Sequence, residues 1–143
     1  MALYQLLYVS GATGPVGADD IAQILTASRR NNARLGVTGM LLYAGGAFIQ
    51  VLEGEEQTVR DLSRRISHDR RHRNFMVLVE QQAEQRAFAQ WQMGFKRLEA
   101  DRAEDQPIFR STEAALAQRI SKQDGGLMFD TVLAFSRDFL AAA

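Results

Sequence analysis

Cysteine is absent from this 143-residue chain, which excludes disulfides, thiolate catalysis and cysteine-based metal sites. An excess of either charge is missing too: 17 Lys and Arg balance 17 Asp and Glu. A protein devoted to nucleic-acid phosphate carries a basic excess, so the balance speaks against that class. No run approaches the roughly 18 apolar residues that a membrane-spanning helix needs. The opening stretch, MALYQLLYVS, has no early Lys or Arg and reads as a strand rather than a signal peptide. A soluble cytoplasmic protein is the expectation. Histidine is scarce: His68 and His72 stand alone in a basic stretch with no flanking carboxylate pattern. They are expected as solvated residues at a helix end, and no metal is expected.

What is present is an ordinary apolar fraction, 46%, in a chain long enough for one domain with a real core. Residues 2–10 alternate as a strand, with Tyr4, Leu6, Tyr8 and Ser10 on one face. The glycine-rich loop GATGPVG (11–17) follows. DDIAQILTASRRNN (19–32) reads as a helix, its acidic start favourable at an N-terminus, with an inward stripe of Ile21, Ile24, Leu25, Ser28 and Asn32. Residues 37–54 read as a hairpin turning on Gly45-Gly46. Residues 55–69 read as a second helix with the stripe Val59, Leu62, Ile66, ending at Asp69. FMVLVEQQ (75–82) and FAQWQMGFKRL (88–98) read as two further strands. The expected fold class is α+β: a ferredoxin-like βαββαββ sheet with two helices on one face. Residues 1–98 form the expected sheet domain. Residues 99–143 form a two-helix extension covering the other face, with Met128, Val132, Phe135 and Phe139 on its apolar side.

The loop after the first strand invites comparison with dinucleotide-binding turns. Asp19 and Asp20 at the helix start would repel a pyrophosphate. The next element is a hairpin, where a dinucleotide fold needs a parallel strand. A flexible glycine turn is the better reading.

More informative are polar groups on faces that should be apolar. Phe48, Gln50 and Leu52 share one face of AFIQVLEG (47–54). A buried amide without partners costs on the order of 2–7 kcal/mol, so Gln50 needs partners. Tyr8, Asn32 and Asp69 are similarly placed. With both helices over the face that carries Tyr8 and Gln50, a slot opens between them. Its aliphatic walls and amide-rich end suit a flat heteroaromatic ligand with edge carbonyls and ring N–H.

These residues, in order and spacing, resemble the BLUF domains, sensors of blue light using flavin, and specifically their short stand-alone members. The motif comprises Tyr8 in LLYVS, Asn31-Asn32, GMLLY followed by FIQVLEG with Gln50, Arg65 and Asp69 in the second helix, and W-x-M at Trp91 and Met93. GATGPVG is not part of it. The resemblance implies FAD held between the helices, with Ile24 and Ile66 sandwiching the ring system. Asn32 would bond its pyrimidine edge. Asn31, Arg65 and Asp69 would lie along the cofactor towards the rim and ribityl-phosphate. Gln50 would sit between Tyr8 and the flavin, and Ser10, Trp91 and Met93 would be the variable neighbours that relay the signal. The resemblance also implies the mechanism: light draws an electron from Tyr8 and a proton through Gln50. Gln50 is left reversed or tautomerised, the absorption shifts to the red, and the state decays thermally.

Two other classes fit an α+β sandwich. An acylphosphatase-like hydrolase needs an arginine in the loop after the first strand, and residues 11–18 have none. An RNA-binding sheet needs an exposed aromatic face, and here the free face is expected to be apolar and covered. No enzymatic activity and no effector domain are expected. The resemblance implies action on a separate partner protein, such as a cyclic-dinucleotide phosphodiesterase or a regulator. The apolar C-terminal face suits a homo-oligomer. Neither nucleic acid nor membrane is expected as a partner.

Overall fold

The computed structural model describes residues 3–89, 93–98, 102–105, 129–130 and 132. A five-stranded sheet with the order β4-β1-β3-β2-β5 forms its centre. The strands are β1 (Leu3–Ala12), β2 (Thr38–Ala44), β3 (Ala47–Glu55), β4 (His72–Ala83) and β5 (Gly94–Leu98). The helices are α1 (Ala18–Leu35) and α2 (Glu56–Ser67). β1 pairs antiparallel with both β3 and β4, whereas β5 runs parallel to β2. This is the expected ferredoxin-like arrangement.

Gly45 and Gly46 adopt φ 54° and 89° and join β2 to β3. Positive φ at both positions is what a two-residue hairpin turn requires, and glycine takes it without strain. The hairpin register then sets Gln50 between Leu41 on β2 and Tyr8 on β1.

Each face of the sheet has its own apolar cluster. Tyr4, Leu6, Tyr8, Leu41, Phe48 and Leu52 pack with Ile21, Ile24 and Leu25 of α1 and with Val59, Leu62 and Ile66 of α2. Both helices therefore lie on one face, as their stripes predict. Leu7, Val9, Met40, Leu42, Ile49 and Val51 occupy the other face with Phe88, Leu98, Phe129 and Val132. Phe129 and Val132 are helical. Phe129 stands outside the stripe expected for the C-terminal extension, yet packs beside Val132. The rest of that extension, including Met128, Phe135 and Phe139, lies outside the described residues.

Several boundaries differ from the sequence reading. Gly11 and Ala12 belong to β1, because the strand keeps pairing with β3 and β4 to its end. α1 continues to Leu35, where Gly36 caps it in the left-handed region (φ 70°). α2 stops at Ser67, as the His68 and Asp69 amides tighten onto the Arg65 and Ile66 carbonyls. Asp69 thus lies past the helix. β5 begins only at Gly94, so Met93 precedes the strand; Trp91 lies outside the described residues.

The second face is not wholly apolar. Glu53, fully buried, accepts from Gln5 Nε2 (3.0 Å), Thr38 Oγ1 (2.9 Å) and the amides of Ala87 (2.8 Å) and Phe88 (2.6 Å). Arg86 reaches the Thr38 hydroxyl and the carbonyls of Glu53 and Gly36. The Glu53 carboxylate, together with Arg86, therefore holds the chain between β4 and β5. It also explains the late start of β5: consecutive amides at Ala87 and Phe88 turn towards one acceptor, whereas strand amides alternate in direction.

Candidate functional site

Between α1 and α2, above the sheet, lies a cavity of about 190 Å³. Its floor is made of buried strand residues, Tyr8, Leu41, Phe48, Gln50 and Leu52. α1 supplies the wall with Ile24, Ser28, Asn31 and Asn32, and α2 supplies the other with Leu62, Arg65 and Ile66. Asp69, Arg71 and His72 form an edge from the connection into β4. Burial falls from floor to rim: Tyr8 is 1% exposed, Gln50 4% and Asn32 2%, whereas Arg65 and Arg71 are open to solvent.

The expected positions Tyr8, Ile24, Asn31, Asn32, Gln50, Arg65, Ile66 and Asp69 all line this one cavity. Ser10 and Met93 do not line it but touch residues that do. Trp91 cannot be placed, since it falls outside the described residues.

Gln50 has the partners its burial demands. The Tyr8 hydroxyl donates to Gln50 Oε1, and Gln50 Nε2 donates to Met93 Sδ at 3.2 Å. The first contact follows from register, since Tyr8 and Gln50 are direct cross-strand neighbours. Burial, together with the nearby negative charge of Asp69, pushes the Tyr8 phenol well above its ordinary value. Tyr8 therefore keeps its proton at neutral pH and remains a donor.

Asp69 is fixed by Arg71. The guanidinium donates from Nε to Oδ1 (3.0 Å) and from its terminal nitrogen to Oδ2 (2.8 Å), and the Arg71 amide adds a third bond at 2.9 Å. The Arg71 side chain is the main reason that the Asp69 carboxyl is lowered to about 2. Because the folded value lies below the ordinary 3.8, this contribution to stability is complete above that value and is lost as pH falls towards 2. Partial exposure keeps the contribution on the order of 1 kcal/mol. Asp69→Asn should be less stable than wild type at pH 7, and the two should converge near pH 2. Urea unfolding at the two pH values measures this.

His72 corrects the expectation of a solvated residue. It is half-buried, its Nδ1 lies 2.6 Å from Ser10 Oγ, and its ring packs 4.8 Å from Phe48 and edge-on 6.0 Å from Tyr8. Burial is the leading cause that lowers its pKa, which keeps the ring neutral at pH 7. Phe75 stacks on Tyr8 at 4.4 Å. His72 and Phe75 thus both turn towards the helices, three residues apart. Between them β4 carries one extra residue against β1, since Val9 pairs with Met76 and Gly11 with Arg73. Asn74, at φ 52°, sits inside this bulge. Strict alternation could not have found His72, nor the longer β4.

Comparison with known proteins bears directly on this arrangement. A family model described as sensors of blue light using FAD matches residues 3–94. The chain belongs to the BLUF family. Its structural neighbours include the BLUF protein BlrB in the dark state, at 31% identity and a TM-score of 0.73, covering 93% of this chain and 96% of that one. BlrP1 of Klebsiella pneumoniae with FMN and cyclic diGMP is 29% identical at a TM-score of 0.64, over 80% of this chain and 34% of BlrP1. In sequence, the beta subunit of a photoactivated adenylate cyclase from Euglena longa is 37% identical over 62% of this chain. The chain spans about a tenth of that relative's length. The blue light- and temperature-regulated antirepressor of Escherichia coli is 35% identical over 60% of this BLUF chain, which spans about a fifth of it. Among the described residues, no helix is long and apolar enough to cross a membrane, and no cluster of three or more potential metal ligands occurs.

Proposed function

We propose that this chain is a blue-light photoreceptor whose switch is Gln50, acting on a flavin held between α1 and α2. The observation that carries the reading is the buried line Tyr8–Gln50–Met93, in which one reversible amide forms the floor of the cavity. FAD is the proposed flavin, as the family description names it.

The donor set fits such a cofactor. Ile24 and Ile66, from different helices, offer aliphatic surfaces to a flat ring. Asn31 and Asn32 each bring an acceptor and a donor to the same wall, the pairing that a carbonyl beside a ring N–H requires. Arg65 lies at the exposed rim, where a phosphate-bearing tail remains hydrated while meeting positive charge. Bound flavin supplies the blue-light absorption and accepts an electron on excitation.

The chain's own residues supply the rest. Tyr8 is the electron donor, and it holds its proton on the bond to Gln50 Oε1. That bond is the path along which the phenolic proton leaves and returns. Gln50 presents the carbonyl to Tyr8 and the NH₂ group to Met93. Reversal exchanges the two, leaving an oxygen against a thioether that can only accept. Leu41, Phe48 and Leu52 exclude water from this floor, so each rearranged bond counts for more than it would in solvent. The two amide arrangements form a bistable element with different contacts in each state. The signal leaves through Met93, with Ser10 and Trp91 as modulatory neighbours. It reaches a separate effector, such as a cyclic-dinucleotide phosphodiesterase or a regulator, from a homo-oligomer in the cytoplasm.

The test is reconstitution with FAD, followed by absorption spectra in the dark and directly after blue light. Stoichiometric binding and a small red shift that recovers in the dark are expected. Absence of flavin binding overturns the reading. Asn32→Ala should weaken binding by about tenfold to a hundredfold, the loss of one or two buried hydrogen bonds, as measured by flavin fluorescence titration.

A further inference from the structure

Met93 is held from two directions. Its sulfur accepts from Gln50 Nε2 at 3.2 Å, and its carbonyl accepts from Arg29 Nε at 3.1 Å. Its methyl sits over Gly39. A Cβ built there would lie 3.4 Å from Met93 Cε and only 2.0 Å from the Val51 carbonyl oxygen. Glycine at position 39 therefore opens the notch in which the methionine end group rests. Met93 itself is 2% exposed, but Arg29 stands on the solvent side of α1. The guanidinium is thus a bridge from the outside of one cavity wall to the chain that enters β5.

We infer that Arg29 is a positioning residue: it latches the Met93 carbonyl and couples the state of Gln50 to the outer surface of α1. The inference rests on the reading of Gln50 as the switch. The two bonds on Met93 differ in kind. A thioether is a weak acceptor, so the bond from Gln50 is easily given up, and amide reversal removes it outright. The bond from Arg29 is charge-assisted and stronger. In the dark both hold Met93 in its notch. After reversal, of these two bonds only the one from Arg29 remains, so the latch governs how far the segment moves. When the segment does move, Arg29 is released on α1, where a binding partner meets a changed charge position.

The test is hydrogen–deuterium exchange of the flavin-loaded protein, dark and illuminated, read on peptides covering residues 93–98, with β1 and β3 as internal references. In the dark, Arg29→Ala should raise exchange in 93–98 at least about tenfold, the loss of one charge-assisted bond, with the references unchanged. Unchanged dark exchange in 93–98, or an equal rise throughout the sheet, overturns the latch whatever light does. Illuminated wild type should show raised exchange in 93–98, and Arg29→Ala should lose most of that light–dark difference while keeping its flavin red shift. A preserved difference in Arg29→Ala overturns the coupling. Arg29→Lys, which keeps the charge and a donor, should restore part of it. If wild type neither shifts to the red nor changes exchange on illumination, the photoreceptor reading fails with the coupling, and the dark arm still decides the latch.

Discussion

Gln50→Leu is expected to keep binding flavin and to lose the lasting red shift altogether. Leucine fills similar volume among Phe48, Leu52 and Leu41, so the cavity floor keeps its shape. What disappears is the acceptor for the Tyr8 hydroxyl and the donor to Met93. The Tyr8 phenol, fully buried, then lacks its acceptor, and destabilisation of about 1–3 kcal/mol follows. No group remains that can hold two arrangements. Tyr8→Phe should give the same photochemical outcome by a different route, since it removes the proposed electron donor and leaves the amide in place. A lasting red shift in Gln50→Leu would place the switch elsewhere. Absorption spectra before and after a blue pulse distinguish these outcomes.

The largest effect on stability is expected at Glu53, on the opposite face of the same strand. Glu53→Leu leaves four donors without their acceptor: the Gln5 amide, the Thr38 hydroxyl and the backbone N–H groups of Ala87 and Phe88. The bonds from Gln5 and Phe88 are buried and those from Thr38 and Ala87 half-buried; each buried orphan costs about 1–3 kcal/mol, so a total of about 3 kcal/mol or more is expected even with partial relaxation. Glu53→Gln keeps one acceptor oxygen but turns an NH₂ group against the remaining donors, so it should fall between wild type and Glu53→Leu. Equilibrium urea unfolding measures both. A loss below about 1 kcal/mol for Glu53→Leu, the value of an average single bond, would show that this carboxylate is not the anchor of the chain between β4 and β5.

The contrast between these two residues shows what the sequence makes legible. Gln50 stands out because strand alternation places a polar group between Phe48 and Leu52, and cross-strand register alone brings it to Tyr8. The hairpin is equally plain, since Gly45-Gly46 needs only local turn geometry. The helix stripes locate Ile24, Asn32 and Ile66 without knowledge of the sheet. Glu53 follows Leu52 on the other side of β3, and its partners come from Gln5, Thr38 and Ala87-Phe88, far apart in the chain. Nothing local announces that a carboxylate is buried there.

The same reasoning accounts for the misplaced elements. FAQWQMGFKRL alternates like one strand, but the Glu53 carboxylate diverts the amides of Ala87 and Phe88 and shortens β5 to Gly94–Leu98. Asp69 continues the period of α2, but the helix has tightened and ended at Ser67, and Arg71 fixes the carboxylate on the following turn. His72 escaped because the bulge around Asn74 shifts the alternation of β4 by one residue. Long-range acceptors and bulges are tertiary features, and periodicity does not carry them.

The central claim is that one glutamine side chain changes its hydrogen bonds on illumination. The most direct measurement is a light-minus-dark infrared difference spectrum of the flavin-loaded protein, with and without isotopic labelling of the glutamine side-chain amides. The account predicts a pair of amide bands that shift with the label and are absent from Gln50→Leu. A protein that shows the full lasting red shift, with difference bands that the glutamine label leaves unmoved, would contradict it.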